Sequence, residues 1–79
     1  MNDENIFGER IRTLRIASNL TQQQLGEVAG LSKQAINDIE KGRRSTLVTK
    51  AILIAKHFNT TVEYLLGVTD NPSRENYEK

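Results

Sequence analysis

Ser32, Lys33, Gln34 and Asn37 fall within six residues, and Lys41, Arg43 and Arg44 follow directly. A side-chain amide carries a donor and an acceptor side by side, the pattern that pairs bidentately with a base edge, and a good pair of this kind discriminates by about 1–3 kcal/mol. Lysine and arginine neutralise phosphates and supply affinity with little sequence information. Residue types in this order point to the reading of duplex DNA. Gln34 suits adenine, Lys33 a guanine edge or a phosphate, and Asn37 lies one helical turn on, on the same face. Ser32 can touch phosphate while capping the helix, whose amino end also favours an anion. Gln22, ten residues upstream, is placed to reach a phosphate.

These residues need two short helices joined by a tight turn. Thr21 opens the first of them with Gln24 three residues on, a capping-box spacing. Leu25 and Val28 face inward, and Gly30 can take the left-handed conformation of a sharp stop. Ser32 caps the next helix, which buries Ala35, Ile36 and Ile39 and stops at Gly42. Helices that cross closely need small residues at the crossing, and Gly26, Ala29, Gly30 and Ala35 supply them. Gly26 costs a helix about 1 kcal/mol relative to alanine; close approach of the following helix accounts for it, and a tolerated surface glycine is the alternative.

Helical spacing governs the rest. Phe7, Ile11 and Leu14 mark a helix from about Ile6 to Ser18. A fourth runs from about Leu47 to Phe58, with Val48, Ala51, Ile52, Ala55 and Phe58 as its inward stripe. A short fifth, capped by Thr61 and closed by Gly67, carries Val62, Leu65 and Leu66. The pattern predicts an all-α fold of five helices over residues 6–68, with polar, flexible termini at 1–5 and 69–79.

The 79 residues suffice for one small domain. The net charge is only +1, but it is unevenly spread. Between Arg10 and Lys56, nine cationic side chains face three acids; outside that stretch two face seven. A basic middle with acidic ends fits a localised phosphate-facing patch. The chain has no cysteine and one histidine, His57, so no disulfide, metal centre, cofactor or histidine-based catalytic set is expected. No window approaches the roughly 18 apolar residues of a membrane span. The opening MNDEN does not resemble a secretory leader, and a cytoplasmic protein is expected.

Taken together these segments resemble the helix-turn-helix family of the lambdoid phage repressors and Cro, also called the XRE family. The resemblance rests on Ile11-Arg12-Thr13-Leu14-Arg15, Leu20-Thr21-Gln22, Leu25, Ala29-Gly30-Leu31-Ser32, Ile36, Ile39-Glu40-Lys41-Gly42, Ala55 and Tyr64-Leu65-Leu66-Gly67, and it runs from Phe7 to Gly67. It implies a five-helix, lambda-repressor-like domain that binds operator DNA as a dimer in a bacterial or phage setting, with Gln22 on a phosphate and Ser32, Lys33, Gln34 and Asn37 facing the groove. It further implies an ion pair between Arg15 and Glu40. Asp38 stands where some relatives carry a further base-reading residue; an acid there would accept from cytosine or repel phosphate. The chain departs from the family at Thr46, where a proline is common, at Gly26, usually alanine, and at Ile16, usually polar or basic.

One reading helix covers only a few base pairs, so a two-fold homodimer on a near-palindromic site is expected. Tyr64, Leu66 and Val68, with Leu47 or Leu53, form the candidate interface, unless they finish the monomer core. The expected function is sequence-specific regulation of transcription, as a repressor, with restriction–modification controllers and autoregulating antitoxins sharing the frame. A partner protein could modulate it. A protein-interaction module that keeps the fold is the competing class; an enzyme lacks any nucleophile–base set.

Overall fold

The computed structural model describes residues 5–74. Five helices follow one another there: α1 (Ile6–Ala17), α2 (Gln22–Ala29), α3 (Lys33–Glu40), α4 (Val48–His57) and α5 (Val62–Leu66). All the regular structure among the described residues is helical, and none of these helices is long and apolar enough to cross a membrane.

Local chemistry sets the helix ends. Thr21 Oγ1 accepts from the Gln24 backbone N–H (3.0 Å), and the Thr21 N–H donates to Gln24 Oε1 (2.8 Å), so α2 begins with two of its orphan donors satisfied. Ser32 Oγ accepts from the Ala35 N–H, and Thr61 Oγ1 from the Tyr64 N–H, each at 3.0 Å. Gly30 closes α2 at φ +69°, a conformation that costs other residues strain. Asn19 and Asn59 also take positive φ, 60° and 56°, in the turns after α1 and α4; asparagine tolerates that region better than most residues.

Ile11, Leu25, Ala29, Ile36, Ile39, Ile54, Ala55 and Leu65 form the buried core, with Phe7, Leu14, Val28, Leu31, Phe58, Val62 and Tyr64 packed around it. Two glycines permit the close crossings. A methyl group at Gly26 would collide with the carbonyl oxygen of Leu31, and one at Gly8 with that of Ile39. Gly26 is thus a close-approach glycine between α2 and the turn into α3. Gly8, which does the same between α1 and α3, is not singled out by the sequence pattern.

The inward stripe of α4 differs from the expected one. Ala51, Ile54 and Ala55 are buried, whereas Val48 is 68% exposed and Ile52 is exposed as well. The run Ala51-Ile52-Leu53-Ile54-Ala55 is apolar on every side, so periodicity could not say which residue points to the core. Packing against α2 and α5 selects Ile54. Val48, in the first turn of α4, instead lines a surface groove with Phe7, Val62 and Leu66.

The segment expected to lie outside the domain is tied to it as far as Arg74. Arg10 donates through Nη1 to the carbonyls of Tyr64 (2.6 Å) and Thr69 (2.8 Å), and through Nη2 to Asp70 (2.7 Å). Thr60 Oγ1 donates to the Pro72 carbonyl (2.6 Å), and Arg74 Nη1 to the Thr60 carbonyl (2.9 Å). The remainder of both expected termini, residues 1–4 and 75–79, lies outside the described residues.

Replacing Gly26 by alanine should destabilise the domain by about 1–3 kcal/mol through overpacking, although alanine improves helix propensity by about 1 kcal/mol. Thermal melting followed by circular dichroism measures this, and an unchanged or higher midpoint would contradict the close-approach reading.

Candidate nucleic-acid interface

α3 divides cleanly into two sides. Ala35, Ile36, Ile39 and Glu40 are buried, Lys33 and Gln34 are exposed, and Asn37 and Asp38 are half-buried at the boundary. Burial of the two isoleucines therefore dictates which way the amides and lysine face. The turn before it is fixed too: the Leu31 N–H donates to the Gly26 carbonyl (2.8 Å), and Ser32 is extended (φ −75°, ψ 161°) before the helix starts.

Beneath this face lies one buried carboxylate. Glu40, whose side chain is 2% exposed, pairs with Arg15, with Nε to Oε2 at 2.6 Å and Nη2 to Oε1 at 3.1 Å. This is the bidentate geometry in which such pairs are strongest. Arg15 Nη1 also donates to the Leu20 carbonyl (2.8 Å), which anchors the loop between α1 and α2. Gln22 Nε2 donates to the same Glu40 Oε1 (3.1 Å), and Gln22 Oε1 accepts from Asn37 Nδ2 (3.4 Å). Asn5 Nδ2 donates to the Glu40 backbone carbonyl (3.1 Å). α1, α2 and α3 are thereby linked by one continuous set of polar contacts. Among the described residues, no buried side-chain nitrogen or oxygen lacks a partner.

Gln22 and Asn37, expected separately on a phosphate and in the groove, thus form one bridge, and each keeps only part of its amide for an outside ligand. Gln34 Nε2 donates to Asp38 Oδ1 (3.0 Å) across one helical turn. Lys41, Arg43 and Arg44 are exposed on the loop after α3. Gly42 turns that loop at φ +76°, and the Arg43 N–H donates to the Asp38 carbonyl (2.8 Å). The half-buried Lys50 of α4 borders the same loop, sharing a surface hollow with Leu31 and Arg44.

Of the residues expected to join two copies, Leu66 and Val68 are 54% and 73% exposed, and Leu47 and Leu53 are exposed too. Tyr64 is half-buried: it packs on the core, and the Arg10 guanidinium lies 4.1 Å from its ring centroid. The Arg10 clamp and the links from Gln22 to Glu40 and Asn37 join residues far apart in sequence, and no local spacing announces them. The Gln34–Asp38 contact has the i, i+4 spacing of a helical pair and was readable.

A family model described as helix-turn-helix matches residues 11–65. The chain is 33% identical over 67 residues to the uncharacterized HTH-type transcriptional regulator YobD of Bacillus subtilis, covering 85% of this chain and 60% of that protein, so it spans less than two thirds of that relative. It is 36% identical over 66 residues to control protein C.SmaI of Serratia marcescens, covering 84% of this chain and 79% of that one. Among solved structures, the P22 c2 repressor protein in complex with a synthetic operator superimposes with a TM-score of 0.73 at 30% identity, over 76% of this chain and 91% of that chain. The restriction-modification controller protein C.AhdI of Aeromonas hydrophila does so with a TM-score of 0.71 at 28% identity, over 80% and 96%.

Replacing Glu40 by alanine should cost about 3–5 kcal/mol, because it leaves the Arg15 guanidinium largely buried without its carboxylate. Glu27→Ala, at an exposed position of α2, should change stability by no more than about 0.5 kcal/mol. Chemical denaturation of the two variants compares them directly; equal, small losses would reject the brace.

Proposed function

The chain belongs to the helix-turn-helix family of transcriptional regulators, of the XRE or lambdoid Cro and CI type, and on that premise we propose that it represses transcription by binding a near-palindromic operator as a homodimer. The observation that carries this reading is the outward polar side of α3, held by a buried aliphatic side and flanked by an exposed cationic loop. Lys33, Gln34 and Asn37 meet base edges in the major groove. Ser32, Lys41, Arg43 and Arg44 hold phosphates. Gln22 spends one amide N–H on Glu40 and offers the other to a phosphate, which couples backbone contact to the seating of α3.

The exposed apolar side chains of α4 and α5 support the dimer. Val48 and Leu66 border a shallow groove of about 200 Å3 with Phe7, Ala51 and Val62, apolar surface that a second copy would cover. Leu66 and Val68 are its contacts; Tyr64, under Arg10, supports them from within. A controller's role in a restriction–modification system is the second reading, favoured by the likeness to C.SmaI and C.AhdI. In either case the role is binding rather than catalysis, exercised in the cytoplasm, and regulated through abundance, dimerisation or a partner protein.

Affinity for duplex DNA should fall steeply and linearly on a logarithmic salt scale. Arg43→Ala should weaken all sequences alike and reduce the magnitude of the salt slope by about one. Fluorescence anisotropy at four salt concentrations measures both, and affinity insensitive to salt would favour a protein-interaction module. Selection from random duplexes should return a site with two-fold symmetry; an asymmetric site would contradict the dimer.

A further inference from the structure

Asp38 is an acid on the face that α3 turns toward DNA, where a negative charge works against phosphate binding. Its surroundings give it a specific task. The Gln34 amide lies one helical turn away, with Nε2 3.0 Å from Asp38 Oδ1. A carboxylate only accepts, so the nitrogen and not the oxygen of the amide must face it. This removes the ambiguity of a free glutamine amide, which can turn over and exchange donor for acceptor. The backbone of Asp38 is held as well, through its carbonyl and the Arg43 N–H at 2.8 Å.

We propose that Asp38 is a positioning residue that sets Gln34 to read adenine and to reject guanine. With one N–H given to the carboxylate, the amide retains one donor and one acceptor for a base. The major-groove edge of adenine offers one acceptor and one donor, and is its complement. Guanine offers two acceptors there and requires two donors, which Gln34 can supply only by releasing Asp38. Holding the amide in place beforehand also removes part of the ordering cost that an exposed glutamine pays on binding. The proposal rests on the reading that Gln34 meets a base.

Selection from randomised duplexes, followed by affinity measurements on the four single-base variants at the position read, separates the two claims. Gln34→Ala should abolish preference at one position, and no change there would overturn both claims. Asp38→Ala should lower the adenine-over-guanine ratio at that same position by roughly three- to tenfold, with an unchanged thermal midpoint. Adding Asp38→Ala to Gln34→Ala should change that position no further. Asp38→Asn, whose amide donates as well as accepts and so no longer dictates which end of Gln34 faces it, should also lower the ratio, by no more than Asp38→Ala does. Three results would overturn the role of Asp38 while leaving that of Gln34 intact: an unchanged ratio in Asp38→Ala, loss of preference at a different position, or Asp38→Asn keeping the full parent ratio.

Discussion

A carboxylate taken out of water must be matched almost completely, and this domain is organised around one such group. Glu40 stands at the end of α3, where the polypeptide leaves the core. Its two oxygens receive Arg15 from α1 and Gln22 from α2. Desolvating an ion pair in a small protein is often neutral in net stability, so its worth here is geometric. The apolar core of Ile11, Leu25, Ile36, Ile39, Ile54 and Leu65 would tolerate small slides of one helix on another. A bidentate arginine–carboxylate pair tolerates them poorly, because both of its bonds depend on one relative placement of α1 and α3.

The outer face inherits that placement. Gln22 touches the carboxylate on one side and Asn37 on the other, so the inner brace and the outward polar side of α3 are two ends of one network. Close packing at Gly26 and Gly8 fixes how near the helices come, while Glu40 fixes their register. A surface that reads bases needs both, since a bidentate contact loses much of its discrimination when the reading side chain is misplaced by a fraction of an ångström. The cationic loop after Glu40 continues from the same anchor, turned outward by Gly42. In the proposed reading, affinity and selectivity come from adjacent segments, the cationic loop meeting phosphates and the outer face of α3 meeting bases.

Much of this is legible in the chain itself, for local reasons. Thr21 with Gln24, Ser32 and Gly30 declare their helix ends through contacts within a few residues, and the alternation of Ala35, Ile36 and Ile39 with Lys33, Gln34 and Asn37 declares which side of α3 is outer. The inward residue of α4 is not legible, because five consecutive apolar side chains erase the helical period and only the positions of α2 and α5 choose Ile54. The Arg10 clamp is hidden for a similar reason: its partners Tyr64, Thr69 and Asp70 lie more than fifty residues away. Gln22 shows the third kind of limit, since its type announces a polar contact but not that Glu40 and Asn37 share it.

The central claim is that the polar side of α3 and the loop after it are the surface this domain offers to duplex DNA. Titrating 15N-labelled protein with duplex DNA and following backbone amide shifts tests it residue by residue. The largest changes should fall on Gln22, on residues 32–38 and on residues 41–44, with smaller changes on α5 where two copies pair. Changes centred instead on α4 and α5, with residues 32–38 unmoved, would contradict it.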